Sequence, residues 1–174
     1  GHTAVDEPEM GAAYFAPGKT LEEFIGLAWL IEKGTRSFYL AMADHFTETK
    51  GEPFFRRMAA VEESHQAYLE NLYEKTSGRL PDDNFPQKLL PSLPQEPILE
   101  GGILLEAALK WADRHSLSEI IEMAIGFESN AYDRYLLMAH GQKDKKVRDL
   151  FTTLAEEEKG HLRQLSDYLN QLNG

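Results

Sequence analysis

Two short motifs hold most of the metal-binding chemistry in this chain, Glu62-x-x-His65 and Glu158-x-x-His161. Residues three apart on a helix share a face, so in each motif a carboxylate and an imidazole can address one ion. A single Glu-x-x-His in a Glu-rich chain is usually a solvated helix face. Here the two motifs stand 96 residues apart, and each follows another Glu, Glu32 or Glu128, by 30 residues. Laying residues 24–75 over 120–171 without a gap pairs Ile25 with Ile121, Ala28 with Ala124, Tyr39 with Tyr135, Leu40 with Leu136, Met42 with Met138, Phe55 with Phe151, Ala59 with Ala155 and Leu69 with Leu165. The same register pairs Glu32 with Glu128, Glu62 with Glu158 and His65 with His161. The chain therefore contains an internal two-fold repeat whose polar matches fall on apolar stripes.

Four carboxylates meeting in a dry core cannot all be ionised without strong repulsion, and an unpaired buried charge costs several kcal/mol. Two divalent cations answer the charge, four Glu against +4, with one neutral imidazole for each ion. In that arrangement Glu62 and Glu158 bridge, His65 and His161 each ligate one ion, and Glu32 and Glu128 close the two ends. Mixed Glu and His donors accept iron, manganese, cobalt or zinc. The adjacent acids Glu63, Glu156 and Glu157 read as solvated-face residues, although one of them could hydrogen-bond to a histidine of the site. His45, His115 and His140 read as helix-terminal cations, and Trp29 and Trp111 as core or interface aromatics.

The elements that must position these residues follow from periodicity. Thr20 with Glu23 makes a capping box, after which Leu21, Phe24, Ile25, Ala28, Ile31, Phe38, Tyr39 and Met42 trace a long amphipathic helix to about Phe46. After a break at Lys50 and Gly51, Phe54, Phe55, Met58, Val61, Leu69 and Leu72 trace a second, ending near Ser77 and Gly78. Residues 78–102 hold Pro81, Pro86, Pro91, Pro94, Pro97, Gly101 and Gly102, which forbids a continuous helix. A short helical stretch, Leu104 to Trp111, ends this connection. Ser116 with Glu119 caps a third long helix to about His140, and a fourth runs from Asp144 to about Leu172. Four helices of about 25 residues, each near 40 Å long at roughly 1.5 Å per residue, make a four-helix bundle. Its link between helices two and three is long enough to cross from end to end. The fold class expected is all-α, a ferritin-like bundle with a long crossover. Residues 1–19 read as a leader or linker and 20–174 as one di-metal domain.

Composition narrows the function. The chain of 174 residues has 18 Lys and Arg against 29 Asp and Glu, a net charge of −11, which speaks against nucleic acid as a partner. It contains no cysteine, so disulfides, thiolate metal sites and thiol nucleophiles are excluded within it. No apolar run approaches the roughly 20 residues needed to span a membrane. The chain reads as soluble and cytoplasmic, and Gly1 in place of a methionine reads as the start of a fragment or processed chain.

The segments I-E-K-G-T-R-S-F-Y with V-E-E-S-H, and F-E-S-N-A-Y-D-R-Y with E-E-E-K-G-H, resemble the rubrerythrin branch of the ferritin-like superfamily over roughly residues 20–173. One Glu from each of two helices plus Glu-x-x-His from each of the other two is the donor pattern of di-iron carboxylate bundles. The resemblance implies two iron ions held by Glu32, Glu62, His65, Glu128, Glu158 and His161, with Tyr39 and Tyr135 hydrogen-bonding to ligand carboxylates. It implies an oxidoreductase that reduces hydrogen peroxide or dioxygen, a defence against oxidative stress, with electrons from an external donor, and a homodimer. The chain departs from the family pattern at Ala131, where peroxide-reducing members carry a further carboxylate, and in lacking a cysteine-ligated rubredoxin-like iron domain. Alternatives are iron oxidation for storage or delivery, and a structural helical module of a fusion protein. The opening G-H-T-A faintly resembles the close of a rhodanese domain, which implies a fused or partner rhodanese.

Overall fold

A computed structural model of the chain describes residues 19–90 and 96–174. The reading of G-H-T-A, and the leader apart from Lys19, lie outside the described residues. Among these, five α-helices and a 3-10 turn follow one another: α1 (Leu21–His45), α2 (Gly51–Ser77), the turn Glu100–Gly102, α3 (Leu105–Ala112), α4 (Leu117–Gly141) and α5 (Lys145–Asn173). Among the described residues there is no strand, only an isolated bridge between Ile98 and Leu104.

Local chemistry sets the helix ends. Thr20 Oγ1 accepts from the Glu23 amide at 3.1 Å while the Glu23 carboxylate accepts from the Thr20 amide at 2.9 Å. Ser116 and Glu119 repeat this reciprocal cap ahead of α4, and Asp144 caps α5 through the Lys146 amide. Gly78 closes α2 with φ 74°, a left-handed conformation that glycine adopts without a Cβ penalty.

The four long helices bury their apolar stripes in two clusters, one at each end of the bundle. The first joins Phe24, Ile25, Leu27, Ala28 and Ile31 of α1 to Leu69 and Tyr73 of α2, Ala131 and Tyr135 of α4, and Val147, Leu150, Phe151 and Leu154 of α5. The second joins Phe38, Tyr39 and Met42 to Phe54, Phe55 and Met58, Ile120, Ile121, Ala124 and Phe127, and Leu165 and Tyr168. Edge-to-face contacts of Phe24 with Phe151 and Phe38 with Phe127 tie the two helical hairpins together, one in each cluster. The order of residues in these clusters fixes direction. α1 runs from the first cluster to the second and α2 returns, whereas α4 starts at the second cluster and α5 returns to it. The connection between α2 and α4 therefore traverses the bundle, as the long crossover requires.

The crossover also enters the core. Phe85, Leu90 and Ile98 belong to the first cluster, and Leu99 to the second. At Gly34 the crossover backbone lies so close that an added Cβ would stand 1.9 Å from the Ile98 carbonyl oxygen. Only glycine admits this approach.

Candidate metal centre

Between the two apolar clusters lies a polar layer. Glu32, Thr35, Glu62, Glu100, Glu128, Glu158 and His161 are all within 1% of full burial, and the His65 side chain is 15% exposed. Each long helix contributes at the point where its stripe passes from one cluster to the other, so the six residues of the repeat arrive at one depth. The structure brings all six together.

Two histidines organise the distances. His161 Nδ1 stands 3.2 Å from Glu128, 3.4 Å from Glu62, 3.5 Å from Glu158 and 4.0 Å from Glu100. His65 Nδ1 stands 3.4 Å from Glu157, 3.6 Å from Glu32 and 3.9 Å from Glu62. Their rings stack with centroids 5.0 Å apart. Donor atoms drawn together within 4.8 Å form four groups able to hold an ion: Glu62, His65 and His161; Glu62, Glu100, Glu128 and His161; Glu32, His65 and Glu157; Glu32, Glu100 and Glu158. Glu62 lies close to both histidines.

Tyr39, in the second cluster, donates its hydroxyl to Glu128 Oε1 at 2.9 Å across the bundle, between the two halves of the repeat. Tyr135 is buried in the first cluster, its hydroxyl pushed above the usual range by burial and then by the charges of Glu100, Glu158, Glu32 and Glu128.

Two members of the layer lie outside the six repeat residues. Glu157, read as a solvated-face residue or else a partner of a histidine, has a side chain only 15% exposed and lies against His65. One residue past the α5 stripe, it turns toward α2, where His65 needs a partner; Glu63 and Glu156 are exposed as expected. Glu100 comes from the crossover and had no helical periodicity to reveal it. A faint signal was available in Glu-Gly-Gly, a charge followed by the two residues best suited to a sharp turn. His45 and His140 are exposed at helix ends, and His115 stacks on Trp111, with centroids 3.6 Å apart.

The electrostatics are those of a site short of positive charge. Burial, then neighbouring carboxylates, holds Glu100 and Glu158 well above the usual carboxylate range. Burial would lower His161, but Glu128 and Glu158 outweigh it and raise the imidazole. Burial pushes Glu157 up to about 7, opposed by His65 and reinforced by Glu32. Burial would raise Glu128, but the charge of His161 together with hydrogen bonding from Glu100, Glu158 and His161 holds it low. Without metal the layer retains protons that metal binding would release.

The donor chemistry fits a pair of metal ions. Both carboxylate oxygens of Glu32, Glu62, Glu100 and Glu158 are buried without a hydrogen-bond partner, as are His65 Nδ1, His161 Nε2 and one oxygen of Glu157. Buried polar atoms are normally paired. So many orphaned Glu and His atoms at one depth form groups that could hold metal.

A crossover bundle with a Glu and His layer at mid-depth defines the class: an all-α, ferritin-like protein with groups able to hold metal. The rubrerythrin family profile matches residues 23–169, and the chain belongs to that family, a ferritin-like di-iron family. Among curated protein sequences none matches. The solved structure of a hypothetical protein from Pyrococcus furiosus is similar, with a TM-score of 0.56 and 23% identity over 88% of this chain and 90% of that one. At this identity the likeness concerns the fold. No helix among the described residues is long and apolar enough to cross a membrane.

Proposed function

We propose that the chain is a di-iron oxidoreductase that reduces hydrogen peroxide or dioxygen with electrons from an external donor. The observation that carries this reading is the buried layer of orphaned carboxylates and two histidines between two apolar clusters. Glu32, Glu62, His65, Glu128, Glu158 and His161 would hold the ions. A bound iron pair supplies two electrons to a small oxidant and is afterwards re-reduced.

The chain's own groups do the rest. Glu62, close to both histidines, would help hold the two ions. Tyr39 fixes the orientation of Glu128 by donating to one of its oxygens. The apolar clusters exclude water on both sides of the layer, so charge developing there is stabilised by fixed groups. His65 and Glu157, the least buried members of the layer, mark the side from which something as small as peroxide enters. Reducing peroxide to water consumes protons. Glu157, 3.4 Å from His65 Nδ1 on that side, is a carboxylate through which a proton can pass inward. Electrons come from outside because a chain without cysteine carries no thiolate-bound iron of its own.

Metal analysis of protein purified without oxygen, followed by titration of the ferrous form with peroxide and with dioxygen, tests the reading. The expected result is about two iron ions per chain, oxidised faster than ferrous iron free in buffer. The double variant Glu62→Ala, Glu158→Ala would lose both the metal and the oxidation. Oxidation no faster than that of buffer iron would overturn the enzymatic reading.

A further inference from the structure

We infer that Glu100 is a seventh metal-ligating residue, a carboxylate delivered by the crossover rather than by any of the four long helices. The inference rests on the di-metal reading above and adds to it a ligand outside the repeat. Four independent features of the structure converge on it.

The first is depth. Ile98 packs in one apolar cluster and Leu99 in the other, so the chain reaches Glu100 at the level of the polar layer. The second is proximity. Glu100 shares one donor group with Glu62, Glu128 and His161, and another with Glu32 and Glu158, so its carboxylate lies within reach of ligands from both halves of the repeat. The third is the state of the carboxylate itself. It is fully buried, and neither oxygen is met by an amide, a hydroxyl or a cation within hydrogen-bond distance; what stands beside it is the carboxylate of Glu128. A glutamate retained for structure would be satisfied by amides or an arginine, and an apolar side chain would fill the same volume without the desolvation cost.

The fourth is the effort spent on holding this residue in place. Its amide donates to Thr35 Oγ1 at 3.0 Å, from a helix turn adjoining Glu32. The preceding backbone fits into α1 only because residue 34 is glycine. Beyond Glu100 the chain turns back through Gly101 and Gly102, with φ of 80° and 85°. A Cβ on Gly101 would stand 3.0 Å from the Phe127 carbonyl oxygen, next to Glu128. The turn is tied off by the Leu99 amide donating to the Ile103 carbonyl at 2.7 Å and the Gly102 amide to the Leu99 carbonyl at 3.0 Å. This is a built loop, and what it presents to the core is one carboxylate.

Charge gives the added ligand a consequence. The four repeat glutamates match two divalent ions, and a fifth carboxylate leaves the set one negative charge in excess. The excess favours the more highly charged, oxidised pair. Since Glu100 stands outside the two-fold repeat, it also makes the two ion positions unequal.

Cobalt(II) tests the assignment without recourse to activity, because its visible absorption reports the number and kind of ligands. Wild type, Glu100→Gln and Thr35→Val are titrated with cobalt(II) after treatment with EDTA, with circular dichroism confirming the helices. Wild type is expected to take up about two ions. Loss of a ligand from one ion should weaken that ion's binding in Glu100→Gln by at least the roughly 10- to 100-fold seen when supporting groups are removed, and should change its absorption. Thr35→Val, which keeps the carboxylate and loosens its tether, should show a smaller weakening in the same ion. If Glu100→Gln is helical and binds two ions with unchanged affinity and spectrum, Glu100 is not a ligand, and the six-ligand reading stands without it. If wild type takes up no cobalt(II), the di-metal reading fails and this inference with it.

Discussion

Replacing Glu157 by Gln should make the metal-free protein more stable, by an amount that grows with pH. Burial raises this carboxyl from 4.5 to about 7 in the folded chain, with Glu32 adding to the rise and His65 and His161 opposing it. An acid whose folded value is raised contributes stability that is fully present below the unfolded value and lost as pH climbs through the folded one. The window here is pH 4.5 to 7. At about 1.36 kcal/mol per pH unit, the displacement amounts to roughly 3 kcal/mol by pH 8. Gln cannot ionise, so the variant escapes this loss while remaining close in size and able to hydrogen-bond to His65. In a protein of this size each kcal/mol moves the melting temperature by roughly 2–4 °C, giving a shift of about 6–12 °C at pH 8 and almost none at pH 4. Urea unfolding of both proteins in EDTA, followed by circular dichroism, measures the difference directly. Adding a divalent metal should shrink the gap, because the positive ions let Glu157 ionise without penalty. A variant no more stable than its parent at pH 8, or a gap that stays constant from pH 4 to 8, would refute the electrostatic account of the layer.

Two further outcomes follow from particular contacts. Tyr39→Phe removes the donor to Glu128 Oε1 and leaves a buried, ionised oxygen without that bond. It should cost about 1.5–3 kcal/mol in urea unfolding while leaving metal stoichiometry intact; an unchanged midpoint would show that the hydroxyl does not support the ligand. Gly34→Ala drives a methyl into the Ile98 carbonyl, and a backbone obstacle cannot rotate aside. A loss of about 1–3 kcal/mol or more is expected, with weaker cobalt(II) binding as Glu100 is displaced. Gly126→Ala is the control: it sits inside α4 with open space around it, and should gain about 0.5–1 kcal/mol. Equal effects at the two glycines would remove the case for a tight crossover seat.

What the sequence makes legible here is whatever is decided locally or repeated. The caps at Thr20 and Ser116 are decided within four residues, and both form as their spacing predicts. The six repeat Glu and His residues stand out because two copies of one pattern place the same polar residues on the same stripe. Which of the acids Glu63, Glu156 and Glu157 meets a histidine could not be told from sequence, because burial of a residue at the margin of a stripe depends on what the facing helix presents, and for Glu157 that is His65. Glu100 was invisible for a stronger reason. It lies in a segment without periodicity, and its position is set by Gly34, Thr35 and Phe127, residues far from it in sequence that meet it only in the folded chain.

Backbone approach in this bundle is closest within each hairpin, α1 with α2 and α4 with α5, yet the residues able to hold metal come from both. An ion pair held between Glu32 and Glu128 joins two points 96 residues apart along the chain. In chain-entropy terms that is a cross-link: closing a loop of this length in the unfolded ensemble is worth about 4–5 kcal/mol for a permanent bond. A chain with no cysteine would thereby own a reversible fastening between its halves. Stripping the ions would loosen the seam between the hairpins before it loosened the helices within them.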